Sequence, residues 1–529
     1  MNARRATLNV VIALIALNLL LSFGNAWPTL WPLPLPRLSL DLAAIALVLS
    51  VLSLRGPVRA AGVRWASIVV VIGIVLHYIN VTVPAILGRK LDLYWDGQHA
   101  WNVVRMGAES PSAMKLVAVA VTVVLALALL YALIRRCLLV LAEGLQHRRL
   151  RTGVLAISLT TLGLWGLAPP LQGSFAPSVV SLVADQASML QRALFSTDDE
   201  LQLGTSPRFD SNLAALQGAD VVIVFAEAYG AVTLDQPEFA AALGQSRHHL
   251  EAAIAASGRR AVSARLTSPT FGGGSWLAHA ELLSGLDMHD PNHYRLLLKT
   301  QRPGLVSHFS ANGYRTIGWM PGIQHPWPEG RFYGFDRIGD ADGIGYRGPP
   351  FGYWRIPDQA AMALLQDQEL GTARGDDPRP RLAVFPTLST HAPFRPLAPY
   401  LTDWSALLGS HVYADPDAIT ARNAAVSWDE PIPAYLAALR YQFDWLSGWL
   451  REQAPPKAVV IVIGDHQPIG TVSGPGADWV VPVHVITSNE IVLKRLAARG
   501  FQAGLLPDKP ALGPMRALTP MLVETFAIE

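Results

Sequence analysis

The chain has 529 residues, 51% of them hydrophobic and 16% charged, with a formal net charge of +2. A chain this apolar is not one ordinary soluble domain, its length leaves room for more than one domain, and its near-neutral balance gives no argument for nucleic acid. The single cysteine, Cys137, excludes an intrachain disulfide and a cysteine zinc cluster, so any metal must be held by Asp, Glu, His or hydroxyl oxygen.

A short basic start, Met1–Arg5, leads into an apolar run from Leu8 to about Phe23. Alone it has the outline of a signal peptide, but comparable runs follow at Leu40–Leu54, Ala66–Leu87, Leu116–Ile134 and Val154–Leu167. Several approach the roughly 20 residues needed to cross a bilayer, so five spans are predicted. Arg4 and Arg5, then Arg55, Arg59 and Arg64, then Arg135, Arg136, Arg148, Arg149 and Arg151 fall in alternate loops, whereas the other loops carry Arg37, and Arg89, Lys90 and Arg105 among acids. The positive-inside rule places the N-terminus in the cytoplasm, and an odd number of spans then delivers everything after Leu167 outside. Tyr94, Trp95 and Trp101 read as the aromatic belt of an external loop, or as a surface element near a lipid substrate. The predicted organisation is a transmembrane domain over 1–168, a partly helical connector over 169–218 with an amphipathic stretch at Val179–Phe195, and a catalytic domain over 219–529.

From Asp220 the pattern changes. Val221–Phe225 is a continuous, mostly β-branched apolar run followed by Ala226 and Glu227, and Ala458–Ile463 is a second, followed by Gly464, Asp465 and His466. Leu382–Phe385 leads into Thr387–His391, and Val480–Ile486 is a fourth run. Such runs read as buried strands. Helical patterns lie between them at Pro237–Ala256, Arg302–Asn312, Asp358–Gln366, Tyr435–Gln453 and Glu490–Ala498. The alternation predicts an α/β domain with a mixed, mainly parallel sheet and helices on both faces, in which ligands gather beyond the carboxyl ends of the strands. Glu227, His391, Asp465 and His466 all follow strands at that edge.

Thr270–Gly285 is the other distinctive stretch. Three glycines, Gly272–Gly274, meet Ser275, and helical spacing follows through Leu277, Ala278, Glu281 and Leu282. Ser275 is expected at a helix start, where free N–H groups and the positive dipole end suit an anion such as phosphate. Two carboxylates, an imidazole and a serine oxygen (Glu227, Asp465, His466 and Ser275) form a donor set for Zn²⁺ or Mn²⁺. A metal on Ser275 would lower its pKa and make it a nucleophile, and His391 would steady a phosphate oxygen or protonate a leaving group. Thr270 is the alternative nucleophile. His279, four residues after Ser275, either lines the pocket or is a core residue beside Trp276, whereas Asp287, His289, Asp290 and His293 read as polar residues on the surface.

These residues together resemble the membrane branch of the alkaline phosphatase/sulfatase superfamily, which includes lipoteichoic acid synthases and phosphoglycerol and phosphoethanolamine transferases. Its pattern is N-terminal spans, a Glu after the first strand, a nucleophile at a helix start and a late Asp-His, matched here by Glu227, Ser275 and Asp465-His466. The histidine before Ala-Pro-Phe matches at His391. The resemblance implies an inner-membrane transferase with its C-terminal domain outside. It would move a phosphoglycerol or phosphoethanolamine head group from a membrane phospholipid to an envelope glycan or glycolipid, through a covalent intermediate on Ser275. It also implies one divalent metal, Mn or Zn, with Mg admissible. Trp327 and Arg331 stand where the family's substrate-binding residues would, with altered spacing, and Arg395, shortly after His391-Ala-Pro-Phe, is a candidate to pair with a phosphate. A serine replaces the family's usual threonine, and the disulfides of the phosphoethanolamine branch are missing. The formylglycine signature of hydrolytic sulfatases is absent too, but a membrane-tethered hydrolase of phosphoesters or sulfate esters using the same site stays open beside the transferase. A catalytically dead scaffold would not need this combination of residues.

Overall fold

The computed structural model describes residues 3–27, 29–98, 113–195, 200–370, 377–424 and 430–528; Trp101 and Arg105 lie outside these. The chain divides into two compact units, Met1–Phe195 and Ser196–Glu529, a division that falls inside the predicted connector.

The first unit is helical: α1 (Ala3–Leu21), α2 (Leu40–Leu52), α3 (Ala60–Leu87), α4 (Ala113–Gly144), α5 (Arg148–Leu167) and α6 (Val179–Phe195). Four of these, α1, α3, α4 and α5, are long and apolar enough to cross a membrane. The predicted second span is shorter than expected. α2 has 13 residues, about 20 Å at 1.5 Å per residue, against a hydrocarbon core of about 30 Å. Polar contacts fix its start. Ser39 Oγ accepts from Leu42 N at 3.1 Å, and the Asp41 carboxylate accepts from Ser178 Oγ at 2.8 Å and Val179 N at 2.9 Å. Val10, Leu17, Leu49, Val70, Cys137 and Leu141 form the buried centre of the unit. Leu8, Val69, Leu125 and Leu129 face outward, as lipid-facing side chains do.

The second unit is built on an eight-stranded sheet. In chain order its strands are β1 (Val221–Ala226), β2 (Arg260–Thr267), β3 (Arg315–Trp319), β4 (Arg337–Gly339), β5 (Arg381–Pro386), β6 (Val459–Gly464), β7 (Val480–Thr487) and β8 (Gln502–Ala503). They lie in the order β8-β2-β7-β6-β1-β5-β3-β4. The five from β6 to β4 are mutually parallel, and β7, β2 and β8 add antiparallel to the other edge. The predicted mixed, mainly parallel sheet is therefore the observed one. Every residue of β1 and β6 is buried, which is why their sequences lack alternation.

Side chains alternate between two helical layers. Ile223, Phe225, Ile461 and Ile463 join one apolar cluster with residues of α8 (Ser275–Ser284), α11 (Glu490–Ala498) and α12 (Leu518–Phe526). On the opposite face, Phe385 meets Trp445 with ring centroids 6.1 Å apart. Trp445 belongs to α10 (Pro431–Glu452), which packs on α7 (Pro237–Ala256). α9 (Asp358–Leu365) completes this layer. The sequence pattern missed β2 because Ser263 and Arg265 interrupt it. Both are buried with partners: Ser263 Oγ lies 2.6 Å from His484 Nδ1 and Arg265 pairs with Asp235 at 2.9 Å.

Candidate active site

The sheet register brings the carboxylates together. β1 and β6 are parallel neighbours with Ala226 opposite Gly464, so the residues that follow, Glu227 and Asp465, emerge side by side at the carboxyl edge. Gly464 is needed there, because a Cβ would overlap the Tyr229 carbonyl oxygen. Asp465 Oδ1 accepts from Ala228 N at 2.8 Å and from His466 N at 2.7 Å, tying both strand ends to one carboxylate. Ala228 holds a left-handed φ of 51°, fixed by that bond and by Tyr435 Oη donating to its carbonyl at 2.7 Å.

Ser275 arrives from the other side. Gly272, Gly273 and Gly274 have φ of 62°, 137° and 79°, conformations that favour glycine. The turn they make opens α8 with Ser275 as its first residue. Ser275 Oγ donates to Glu227 Oε2 at 2.9 Å and lies 3.1 Å from His466 Nε2. Thr270 is not equivalent. It is buried, and its hydroxyl donates to the Gly273 carbonyl at 2.5 Å, bracing the turn.

His466 Nδ1 donates to the Gln467 carbonyl at 2.7 Å, so Nε2 is the nitrogen presented to the site. It lies 3.4 Å from Glu227 Oε1. Ligand atoms of Glu227, Asp465 and His466 all fall within 4.8 Å of one another, and all three residues are buried. Burial alone would raise Glu227; the charge and hydrogen bond of His466 outweigh it and hold that carboxyl far below the usual range. Burial and the neighbouring charge of Glu227 push Asp465 well up. Burial opposes charge on His466, but Asp465 and Glu227 carry it to about 9. Asp465 Oδ2 is buried and has no hydrogen-bond partner among the described residues. An orphaned carboxylate oxygen, a second carboxylate, an oriented imidazole nitrogen and a hydroxyl converge on one point, a donor set that fits a divalent zinc or manganese ion.

His391 sits on the loop after β5. Thr390 Oγ1 donates to the Glu227 carbonyl at 2.5 Å and Thr387 Oγ1 accepts from Glu227 N at 3.0 Å, which docks this loop against the first strand end. His391 Nδ1 lies 2.7 Å from the Ala392 carbonyl and its ring meets Trp354 edge-on at 4.7 Å. Its charge is close enough to contribute to lowering Glu227. Sequence reasoning missed the brace behind this loop. Asp358, the first residue of α9, is fully buried and accepts from Leu388 N at 2.7 Å and Ser389 N at 2.9 Å. The available signal was an acid directly after Pro357 at a predicted helix start.

Trp327 packs on Tyr333 at 5.9 Å, and Trp276, next to Ser275, packs at 4.6 Å against Tyr294 with the rings tilted by 59°; Phe332 packs beside that pair. Arg331 and Arg395 are exposed. The Asp287–His293 cluster is engaged elsewhere: Asp287 pairs with Arg516 at 3.0 Å, Asp290 caps the Pro291–Leu297 helix and His293 Nδ1 lies 2.9 Å from the Asp287 carbonyl. His279 is different. It faces inward, and burial lowers it to about 4.

No family profile and no curated protein matches the chain by sequence. Among solved structures it is similar to the lipoteichoic acid synthase LtaP from Listeria monocytogenes, at 15% identity and a TM-score of 0.34 over 54% of this chain and 69% of that one. It is also similar to a protein in the alkaline phosphatase superfamily from Vibrio parahaemolyticus, at 15% identity and a TM-score of 0.35 over 62% of this chain and 77% of that one. A third is the Streptococcus pyogenes phosphoglycerol transferase GacH in complex with sn-glycerol-1-phosphate, at 12% identity and a TM-score of 0.33 over 57% and 75%.

Proposed function

We propose that the chain is a membrane-anchored, metal-dependent transferase. It moves a phosphoglycerol or phosphoethanolamine head group from a phospholipid to an envelope glycan or glycolipid, through a covalent intermediate on Ser275. The observation that carries this is the position of Ser275 Oγ: at a helix start, 2.9 Å from Glu227 and 3.1 Å from His466. A divalent ion held by Glu227, Ser275, Asp465 and His466 would favour the ionised serine and offset charge at phosphorus.

The N-terminus of α8 favours the anionic phosphate beside Ser275. Ser275 Oγ, ionised by loss of its proton to water, attacks phosphorus. The Oγ–P bond forms as the P–O bond to diacylglycerol breaks, and the leaving oxygen takes a proton from His391 Nε2, the nitrogen not used by the Ala392 carbonyl. An acceptor hydroxyl then attacks the same phosphorus, gives its proton back to His391, and the bond to Ser275 breaks. Trp327, Arg331 and Arg395 are assigned to head-group binding by their place in the sequence pattern.

Four long apolar helices support the anchoring, and a lipid donor accounts for having more helices than a tether needs. Placing the catalytic unit outside the inner membrane requires the α2 region to make a fifth crossing. A cysteine introduced on the exposed surface of the catalytic unit, labelled from outside in spheroplasts, supports that placement; labelling only after lysis refutes it.

Intact-protein mass spectrometry of the full chain, incubated with Mn²⁺ and phosphatidylglycerol or phosphatidylethanolamine, tests the chemistry. A head-group adduct mapped to Ser275 and absent from Ser275→Ala is expected. Steady release of free head group without an acceptor would favour the tethered hydrolase. Neither adduct nor release with either lipid would overturn the assignment.

A further inference from the structure

α6 (Val179–Phe195) has more apolar surface than its own unit covers. At about 100° per residue, the half of its circumference running from Met189 round to Val180 is apolar except for Gln186. Gln186 is spent on bonds: its side chain accepts from Leu93 N at 3.0 Å and donates to the Leu91 carbonyl at 2.8 Å. One part of that half, with Leu182, Gln186, Met189 and Ala193, is buried or half-buried. The other part, Val180, Val183, Ala187, Leu190 and Leu194, is exposed, its four larger side chains by 44–73%. These five recur at helical spacing and form one stripe. Ser181, Asp185, Ser188 and Arg192 stand on the opposite arc. The helix therefore has three sides: one against protein, one apolar and open, one polar.

The attachments of α6 indicate what covers the open stripe. Asp41, at the start of α2, holds Ser178 and Val179, and Leu38–Ser39 pairs in parallel with Phe175–Ala176 just before α6. α6 packs on α3, where a Cβ on Gly73 would lie 3.6 Å from Val179 Cγ2. Val69 and Ile72, one turn before Gly73 and next to it, are exposed on α3. The open stripe thus begins beside the lipid-facing surface of a span. With 17 residues, about 26 Å long, α6 is too short to cross a hydrocarbon core of about 30 Å itself. Its charged residues are Asp185 and Arg192, one of each sign, so the helix has no net charge with which to recruit a charged partner.

We propose that α6 is an interfacial helix whose stripe from Val180 to Leu194 inserts among the lipids of the leaflet on the side where the chain leaves α5. The inference rests on the membrane-anchored part of the proposed function and not on its chemistry. Apolar area drives the insertion, not attraction to anionic head groups. The last helix of the first unit is thereby pinned at the bilayer surface.

Fluorescence quenching in vesicles tests this on the full chain. Val183→Cys and Leu190→Cys place an environment-sensitive dye on the stripe, Ser181→Cys and Asp185→Cys place it on the polar arc, and Leu125→Cys on α4 is the control for a span. All five positions are exposed, so the core stays intact. The native Cys137 is buried, and the labelled wild type gives its background. The vesicles contain phosphatidylethanolamine, phosphatidylglycerol and a lipid with a nitroxide on its acyl chain. Emission from Val183→Cys and Leu190→Cys is expected to shift to the blue and to be quenched, as for Leu125→Cys, with Ser181→Cys and Asp185→Cys unshifted and unquenched. The same pattern is expected without phosphatidylglycerol, and its loss there would overturn the apolar drive for insertion. A blue shift on the stripe without quenching would show that protein, a second copy or the catalytic unit, covers it, and equal quenching on both arcs would remove the three-sided arrangement; either overturns the inference. A stripe neither shifted nor quenched beside a quenched Leu125→Cys overturns it too and leaves the anchoring intact. An unquenched Leu125→Cys overturns the anchoring itself.

Discussion

Replacing Gly274 by alanine isolates the contribution of the glycine turn to the nucleophile. Gly274 has φ 79°, and a Cβ there would sit 3.0 Å from Thr270 Oγ1. The left-handed backbone costs an alanine about 1–2 kcal/mol, offset by about 0.4–1 kcal/mol from the stiffer unfolded chain. If the Thr270 hydroxyl gives way, its bond to Gly273 O is lost, about 1 kcal/mol more. The net expectation is a loss of about 1–2 kcal/mol, or a few degrees in the melting of the catalytic unit. Activity should fall further than stability, since Ser275 is the next residue and a displacement of about 1 Å can cost about 100-fold. Thermal melting and head-group turnover in the same detergent measure both. Thr270→Ala alone should cost about 1 kcal/mol, and in the Gly274→Ala background it should cost less, because the clashing hydroxyl is gone. Wild-type melting and turnover in Gly274→Ala, or strict additivity in the pair, would refute the account of the turn.

Asp358→Asn keeps the size of a buried side chain but sets an amide NH2 against one of the two backbone N–H donors, Leu388 or Ser389. Turnover should drop about tenfold or more as the His391 loop shifts, with zinc content unchanged; loss of zinc would show that Asp358 acts on the ligands instead. Asp465→Asn should reduce bound metal to a trace, measured by elemental analysis, and stoichiometric metal in that variant would remove Asp465 from the ligand set. Glu281 on α8 is buried, and its desolvation raises it from 4.5 to about 7 against the bonds it accepts from Met288 N and Arg516 N. Because the folded pKa is the higher one, its stabilising effect is complete below about pH 4.5 and is lost as pH rises through 7. The swing is on the order of 3 kcal/mol at most. Melting of Glu281→Gln should lack this part of the slope between pH 4.5 and 7, and an unchanged slope would refute the assignment.

Much of the catalytic unit was legible because its two central strands are buried on both faces. Val221–Phe225 and Ala458–Ile463 are so uniformly apolar that only a central strand accommodates them, and an acid directly after each can lie only at the sheet edge. The glycine run located the turn before α8 for a similar reason, since three consecutive positive φ values admit little else. What stayed hidden depends on partners far away in the chain. β2 is masked by Ser263 and Arg265, whose burial makes sense only beside His484 and Asp235. The antiparallel direction of β7 leaves no mark on an apolar run. Asp358 is a helix-start acid until the loop it braces is in place. α2 begins at Leu40, where hydropathy places the apolar run, and stops two residues before the run does, at Leu52 with Ser53 as its C-cap.

The pairing of β1 with β6 has a consequence for biosynthesis. The bond from Ala228 N to Asp465 joins residues 237 positions apart, and most of the catalytic unit lies between them. A nascent chain that has made Glu227 and Ser275 still lacks Asp465 and His466. The serine is therefore synthesised early and armed late: a chain interrupted before residue 465 carries the nucleophile without the groups that would activate it. On the proposed function, truncated or stalled products would be unable to take a head group from a phospholipid, and the full set of Glu227, Ser275, Asp465 and His466 is assembled only once β6 has joined β1.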